Sequence, residues 1–317
     1  MTSQATSSSL AFVFPGQGSQ KVGMLAELAE QYPIIQQTFA EASQAVGFDL
    51  WAIAQSGEGL DLTENTQPIL LTASIALWRV YQSLSSVQPA YLAGHSLGEY
   101  SALVAGGALD FADAVKLVHL RGQLMQNAVA AGEGSMAAIL ALSDEQVKTL
   151  CQDVQANADS GSVEVANYNT KGQVVIAGHT ALIQAAMAQA KEQGGKAIAL
   201  PVSVPSHCSL MKPAAEQFAQ ALANTKIQLP TIPVIQNTNV QIATSVEQLR
   251  QALTEQLYQS VQWTATMQFL QEHGVKHIVE CGAGNVLTNL AKRLDGIEFA
   301  LATDTVSRLQ DAIEKIA

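Results

Sequence analysis

The chain has 317 residues, of which 48% are hydrophobic and 14% are charged. This balance excludes a disordered chain and supplies enough apolar side chains for a full core. No run approaches the roughly 18 apolar residues that a membrane span requires. The formal net charge of −11 argues against nucleic acid or an anionic membrane as the main partner.

The first nine residues are polar, and they lack both the basic and the apolar segment of a secretory signal. We therefore expect a disordered polar tail over residues 1–9. The cysteines Cys151, Cys208 and Cys281 lie far apart and show neither a zinc-binding spacing nor a disulfide framework. This usage predicts a chain of the reducing cytoplasm with no metal site.

Most of the chain alternates between short buried strands and amphipathic helices. The strands are predicted at 10–14, 89–93 and 275–279. The helices are predicted before residue 45 and at 67–84, 99–105, 112–129, 214–223, 246–258 and 286–294. Such alternation predicts an α/β fold with a mostly parallel, three-layer large domain.

A different pattern occupies residues 133–203. The predicted strands here are 136–142, 163–167, 173–177 and 196–202, and the helices are 144–154 and 181–193. The order β-α-β-β-α-β is that of a ferredoxin-like unit. We therefore expect a small domain over 133–203, inserted into a large domain made of 10–132 and 204–317.

The segment Gly94-His95-Ser96-Leu97-Gly98 lies between a predicted strand and a predicted helix. A strand, a G-x-S-x-G turn and a helix together are the context of a nucleophile elbow, which exposes its serine at the tip of a tight turn. The helix that follows points its N-terminal N–H groups to where an oxyanion would form. Because the pentapeptide also occurs by chance, an ordinary strand-to-helix turn is the alternative.

A serine nucleophile needs a base, and histidine is the usual one. Among six histidines, His207 lies where the predicted insert returns to the large domain, and such junctions commonly line clefts. His95 is adjacent to the serine and is expected to point elsewhere, whereas His119 is expected to pack within an apolar helix. Cys208 is a weak candidate for the nucleophile, because adjacent side chains rarely point at one another.

Arg121 shares a helix face with Leu117, Leu124 and Met125. An arginine on an apolar face needs a partner, since a buried unpaired charge is unfavourable. That partner is either an acid of this chain, in a structural ion pair, or a carboxylate of the substrate held by two hydrogen bonds.

Two glycine-rich segments are weak signals for phosphate. The segment 16–20 could bind phosphate or supply an oxyanion N–H, but it lacks the lysine of a P-loop and the spacing of a dinucleotide motif. The segment 282–284 is equally unspecific.

Taken together, these segments resemble the malonyl-CoA:acyl carrier protein transacylases of bacterial type II fatty acid synthesis. The resemblance covers about residues 10–294. Its motifs are FPGQGSQ at 14–20, GHSLGEYS at 94–101, Arg121, Asn167 in VANYN at 165–169, PSH at 205–207 and QLY at 256–258. It implies an α/β-hydrolase-like large domain with an inserted ferredoxin-like (βαββαβ) small domain.

The resemblance also implies catalytic roles. Ser96 would attack the thioester of malonyl-CoA, with His207 as general base and then general acid. The backbone N–H groups of Gln17 and Leu97 would form the oxyanion hole. Arg121 would bind the free carboxylate of the malonyl group.

Further residues follow from the same resemblance. The main-chain carbonyl of Gln256 would orient the histidine, and Met125 and Asn167 would line the substrate pocket. Two positions depart from the family pattern: Ser260 stands where proline is common, and Ala283 stands where Gly-Pro-Gly is frequent. Both affect the loops near the Gln256 carbonyl, and neither touches a reacting group.

The implied partners are malonyl-CoA and acyl carrier protein, with no nucleic acid, no membrane and no cofactor of the enzyme's own. We expect a monomer. Because carrier proteins and this chain are both acidic, docking requires a local basic patch near the cleft. Its candidates are Lys116, Lys171, Lys196, Lys212 and Lys292.

Two other functions are compatible with the same residues. One is a serine hydrolase, in which water replaces the carrier thiol. The other is a non-catalytic module that binds acyl-CoA or the carrier, for which Ser96 would be dispensable.

Overall fold

The computed structural model describes residues 6–202 and 204–317. Its strands form two separate sheets, one parallel and one antiparallel. In chain order they are β1 (Thr6–Phe14), β2 (Gln88–Gly94), β3 (Gly134–Leu140), β4 (Val163–Thr170), β5 (Gln173–His179), β6 (Lys196–Ala199), β7 (Val234–Ile235), β8 (His277–Glu280) and β9 (Phe299–Ala302).

The helices surround these sheets. In chain order they are α1 (Ala26–Gln31), α2 (Ile34–Val46), α3 (Leu50–Ser56), α4 (Thr63–Leu84), α5 (Gly98–Ala105), α6 (Phe111–Asn127), α7 (Asp144–Ala156), α8 (Thr180–Glu192), α9 (Lys212–Asn224), α10 (Val246–Glu255), α11 (Trp263–Glu272), α12 (Val286–Ala291) and α13 (Val306–Ile316).

The larger sheet has the order β7-β2-β1-β8-β9, and every neighbouring pair is parallel. Its central strand β1 is buried on both faces. Phe12 packs against Trp78 of α4, with ring centroids 5.2 Å apart, whereas Val13 faces the opposite side and packs in a cluster with Met267 of α11. Helices therefore cover both faces, and the predicted three-layer α/β arrangement is confirmed.

The smaller sheet has the order β4-β5-β3-β6, and every neighbouring pair is antiparallel. Helices α7 and α8 pack on one face of it. On the other face, Met136, Ala166 and Val175 pack with Cys208, which belongs to the chain after the insert. The face of the small sheet that α7 and α8 do not cover thus turns towards the part of the chain that holds the larger sheet. The cavity described below lies between the two sheets.

Several element boundaries differ from the sequence predictions. Strand β1 begins at Thr6, so residues 6–9 do not form the expected tail; residues 1–5 lie outside the described part of the chain. Parallel pairing of Thr6 and Ser7 with β2 incorporates these polar residues into the ladder, and hydropathy gives no sign of such pairing. The strand predicted over 196–202 ends at Ala199, and α10 ends at Glu255 rather than at residue 258.

Candidate active site

Strand β2 and helix α5 are joined by a turn that requires both of its glycines. A Cβ atom at Gly94 would overlap the backbone of Gly98, and one at Gly98 would overlap the carbonyl group of Phe14. Ser96 lies between them at φ 52°, in the left-handed region. The predicted nucleophile elbow is therefore present, and its serine is held in a strained conformation.

Ser96 and His207 form a hydrogen-bonded pair. Ser96 Oγ lies 2.8 Å from His207 Nε2, and His207 Nδ1 lies 2.7 Å from the main-chain oxygen of Gln256. Because a carbonyl oxygen only accepts, Nδ1 carries the proton, and in the neutral ring Nε2 is free to accept from the serine. Burial, and then the nearby Arg121 charge, lower the pKa of His207 to about 3. The imidazole is thus a neutral base facing a hydroxyl nucleophile.

The end of α10 explains how the Gln256 carbonyl becomes available. The helix ends at Glu255, three residues earlier than the sequence predicts, and carbonyl groups at a helix end have no partner within the helix. The imidazole of His207 binds the carbonyl of Gln256. The two departures from the family pattern do not prevent this contact. Ser260 Oγ donates to the oxygen of Val165 at 2.5 Å, which connects this loop to β4.

Arg121 is buried, with 1% of its surface exposed, and its hydrogen-bond partners are uncharged. Nη1 donates to Gln67 Oε1 at 2.8 Å, and Nη2 donates to Gln256 Oε1 at 3.0 Å and to Ser96 Oγ at 3.3 Å. None of the ion pairs within residues 6–202 and 204–317 includes Arg121. The alternative of a structural ion pair is therefore wrong, and the guanidinium can still donate to an external carboxylate.

Asn237 supports the elbow, and the sequence reasoning missed it. Its Oδ1 accepts from the N–H of Ser96 at 2.7 Å, and its Nδ2 donates to the oxygen of Gly94 at 2.6 Å. Asn237 follows β7, whose carboxyl end lies beside that of β2. Polar residues at the carboxyl ends of parallel strands are a known signal for a site. With only two residues, β7 was too short for its pattern to be recognised.

A cavity of about 260 Å³ lies between the two sheets and contains Ser96, His207 and Arg121. The predicted oxyanion and pocket residues line the same cavity: Gln17, Leu97, Met125 and Asn167. Within the part of the chain that the structure describes, no hydrogen bond uses the backbone N–H of Gln17 or Leu97. Both N–H groups are therefore free to bind an oxyanion.

The competing candidates are engaged elsewhere. His95 Nε2 lies 2.8 Å from Asn169 Oδ1, and His119 Nδ1 lies 2.8 Å from the oxygen of Glu64. Burial raises the pKa of the Cys208 thiol to about 12, so the thiolate nucleophile is not available. In residues 6–202 and 204–317, no three His, Cys, Asp or Glu side chains are grouped so as to hold a metal ion. No helix in these ranges is long and apolar enough to cross a membrane.

Comparisons with known proteins point to one family. The family model of the acyl transferase domain matches residues 11–295. The malonyl CoA-acyl carrier protein transacylase of Salmonella typhimurium is 51% identical over 306 residues, which cover 96% of this chain and 98% of that protein. The chain belongs to the malonyl CoA-acyl carrier protein transacylases. The transacylase of Bacillus subtilis is 42% identical, with 98% of each chain covered.

Solved structures of transacylases have the same fold. FabD from Acinetobacter baumannii superposes with a TM-score of 0.96 at 70% identity, with 98% of each chain covered. A second transacylase was solved in complex with its type II polyketide acyl carrier protein; its TM-score is 0.94 at 48% identity, covering 96% of this chain and 99% of that one. The family resemblance derived from the motifs is confirmed.

Proposed function

We propose that this transacylase moves a malonyl group from malonyl-CoA to the phosphopantetheine thiol of acyl carrier protein, and so supplies fatty acid synthesis. One observation carries the proposal. A serine nucleophile, a neutral histidine and a buried arginine that has no acidic partner in the described part of the chain line a single cavity. The first two groups suit acyl transfer, and the third suits an acyl group that ends in a carboxylate.

In the first half-reaction, Ser96 Oγ attacks the thioester carbonyl while His207 Nε2 takes the hydroxyl proton. The oxyanion that forms binds the N–H groups of Gln17 and Leu97. Collapse of the tetrahedral intermediate breaks the carbon–sulfur bond, and His207 returns the proton to the coenzyme A sulfur. The products are malonyl-Ser96 and free coenzyme A.

The second half-reaction reverses these roles. His207 takes the proton of the phosphopantetheine thiol, and the sulfur attacks the malonyl ester of Ser96. The ester bond breaks, and Ser96 Oγ recovers the proton from His207. Only a serine ester links the two steps, so the kinetics are of the ping-pong type and no resident cofactor takes part.

Arg121 selects the malonyl group. The malonyl carboxylate binds the guanidinium, a buried cation whose hydrogen-bond partners among the described residues are all neutral. Met125 and Asn167, which are 2% and 6% exposed, bound the space left for the acyl group. An acetyl group has no carboxylate and gains nothing from Arg121.

We infer an α/β-hydrolase-like large domain of residues 10–132 and 204–317 with a ferredoxin-like insert over 133–203. The elbow after β2 supports the first assignment. The element order β3-α7-β4-β5-α8-β6 and the antiparallel order β4-β5-β3-β6 support the second. We propose that the protein is a monomer and that it acts in the cytoplasm.

Carrier docking is proposed to use a local basic patch at the cavity mouth. The five candidate lysines are all exposed. Lys292 directly follows α12, whose Val286 and Leu290 line the cavity. Lys212 lies 5.8 Å from the ring of Tyr258, next to the loop that holds the Gln256 carbonyl. These two lysines are the first choice for charge reversal, with carrier affinity as the readout.

Intact-mass analysis tests the proposal. After mixing with malonyl-CoA, the wild-type chain is expected to gain one malonyl group, and Ser96→Ala is expected to gain none. The adduct should persist in buffer and disappear when carrier protein is added. Rapid loss to water would indicate a hydrolase. Unchanged function in Ser96→Ala would indicate a non-catalytic binding module.

A further inference from the structure

A buried carboxylate lies behind the catalytic pair, outside the residues that line the cavity. Glu99 is 1% exposed and belongs to the first turn of α5. Its Oε2 accepts from Gln256 Nε2 at 2.6 Å and from the N–H of Asn237 at 3.2 Å. The mechanism above assigns this side chain no role.

We propose that Glu99 is a positioning residue that sets the direction of the Gln256 side-chain amide and, through it, the direction of the Arg121 guanidinium. The inference rests on the proposed function, because it assumes that Arg121 binds the malonyl carboxylate. It makes Glu99 a determinant of the preference for malonyl over acetyl.

The two ends of the Gln256 amide differ, because one donates hydrogen bonds and the other accepts them. An ionised carboxylate only accepts hydrogen bonds, so the NH₂ end of Gln256 must face Glu99. The same NH₂ group donates to the main-chain oxygen of Ser96 at 3.0 Å. The oxygen end therefore faces Arg121 Nη2, at 3.0 Å. The reversed amide would place its NH₂ group against the guanidinium and its oxygen against the carboxylate.

Protonation of Glu99 does not undo this arrangement. Burial raises the pKa of Glu99 to about 7, and hydrogen bonds from Gln256 and Asn237 and the charge of Arg121 act against that rise. Within the described residues, the second oxygen, Oε1, has no hydrogen-bond partner. A proton taken up at Oε1 leaves Oε2 as an acceptor for Gln256.

The direction of the amide matters for the substrate because Arg121 is held by two amide oxygens. Gln67 Oε1 binds Nη1 and Gln256 Oε1 binds Nη2, so the plane of the guanidinium is set from both ends. A carboxylate binds a guanidinium by two parallel hydrogen bonds only when that plane is correctly placed. Since an acetyl group makes no such contact, a misplaced Arg121 should weaken malonyl transfer selectively.

The test is Glu99→Gln, which has nearly the same shape. Its uncharged amide can donate as well as accept, so the constraint set by the carboxylate is lost and only the weaker contact with the main-chain oxygen of Ser96 still favours this orientation of the Gln256 NH₂ group. We expect kcat/KM for malonyl-CoA relative to acetyl-CoA to fall by about ten- to a hundredfold, the effect of losing one hydrogen bond to a charged group. Acetyl transfer should stay within about threefold of the wild-type chain. An unchanged ratio overturns the proposal.

Glu280→Gln is the matched control. Glu280 is also fully buried, and burial raises its pKa to about 7. Its oxygens accept from the N–H groups of Leu287 and Thr288 and do not contact Gln256 or Arg121. The malonyl-to-acetyl ratio of this variant should match that of the wild-type chain. An equal fall in both variants would overturn the assignment to Glu99.

Arg121→Ala separates this inference from the proposed function. An unchanged malonyl preference in Arg121→Ala contradicts the proposed function itself. A preference that falls in Arg121→Ala and not in Glu99→Gln overturns only the present inference. The double variant of Arg121→Ala and Glu99→Gln should have the same malonyl-to-acetyl ratio as Arg121→Ala alone, because Glu99 acts on this ratio only through the guanidinium that Arg121→Ala removes.

A second variant covers the case in which Glu99→Gln does not fold. Gln256→Met removes the side-chain amide and keeps the main-chain carbonyl that orients His207. Its malonyl-to-acetyl ratio is expected to fall as far as that predicted for Glu99→Gln. A ratio equal to that of the wild-type chain overturns the proposal, since Glu99 then has no amide through which to act.

Discussion

Ser96 and His207 meet across a hydrogen bond of 2.8 Å, and each has a left-handed backbone, at φ 52° and 62°. Residues with a Cβ atom seldom adopt this conformation. The main chain around each is held in place: the N–H of Ser96 donates to Asn237 Oδ1, and the N–H of His207 donates to the oxygen of Leu257 at 3.0 Å. The surrounding fold thus stabilises two strained residues so that their side chains face each other.

Removing the nucleophile in two ways should separate strain from chemistry. Ser96→Ala and Ser96→Gly are both expected to abolish acylation. Ser96→Gly should be the more stable by about 1 kcal/mol, because glycine adopts a positive φ without strain. Urea unfolding measures the difference. The control is Gln152, which lies within α7, where glycine is unfavourable; Gln152→Gly should therefore be less stable than Gln152→Ala. A Ser96→Ala variant as stable as Ser96→Gly would contradict the prediction.

Arg121→Ala should lower the preference for malonyl-CoA over acetyl-CoA. Losing one partner of a buried, charge-assisted pair costs about 2–5 kcal/mol, or roughly 30-fold to several thousandfold in the ratio of kcat/KM values. Arg121→Lys keeps the charge and loses the planar group. Its malonyl-to-acetyl ratio of kcat/KM values should therefore lie between those of the wild-type chain and Arg121→Ala. The measurement compares both substrates in all three proteins. Selectivity that survives in Arg121→Ala would exclude the guanidinium as the carboxylate site.

Asn237→Ala should slow transfer of malonyl and acetyl groups equally. The variant loses the hydrogen bonds to Ser96 and Gly94, which hold the elbow in place. A displacement of the nucleophile by about 1 Å lowers the rate about a hundredfold, whichever acyl group is bound. Asn237→Asp should not restore the rate, because its second oxygen faces the oxygen of Gly94. Wild-type kcat in Asn237→Ala would show that the elbow does not need this support.

His207 should not titrate near neutral pH. Burial and the charge of Arg121 lower its pKa to about 3 from the usual 6.5, so the imidazole is neutral throughout the range from pH 5 to 8. Its NMR signals are expected to stay constant over that range. In Arg121→Ala the pKa of His207 should rise, since one of the causes that lower it is removed. A midpoint near 6.5 in the wild-type chain would contradict the expected burial.

The elbow, the base and the arginine could be predicted from the sequence because each has a local signal. Glycines at 94 and 98 flank the serine, His207 follows the insert, and Arg121 lies on an apolar helix face. Asn237 and the role of Gln67 could not be predicted in this way. They act through contacts with residues 141 and 54 positions away, and nothing in their own neighbourhoods indicates those partners.

The sequence by itself determined the α/β class, because turn geometry and hydrophobic periodicity are local properties, and the resemblance of its motifs identified the family and the candidate reacting groups. Only the tertiary structure decided how those groups are used. It brings the Gln256 carbonyl to His207 by ending α10 at Glu255, and among residues 6–202 and 204–317 it pairs Arg121 with amide oxygens and with no acid. Both outcomes depend on packing between distant segments, since hydrogen-bond direction and burial arise only when the two sheets enclose the cavity.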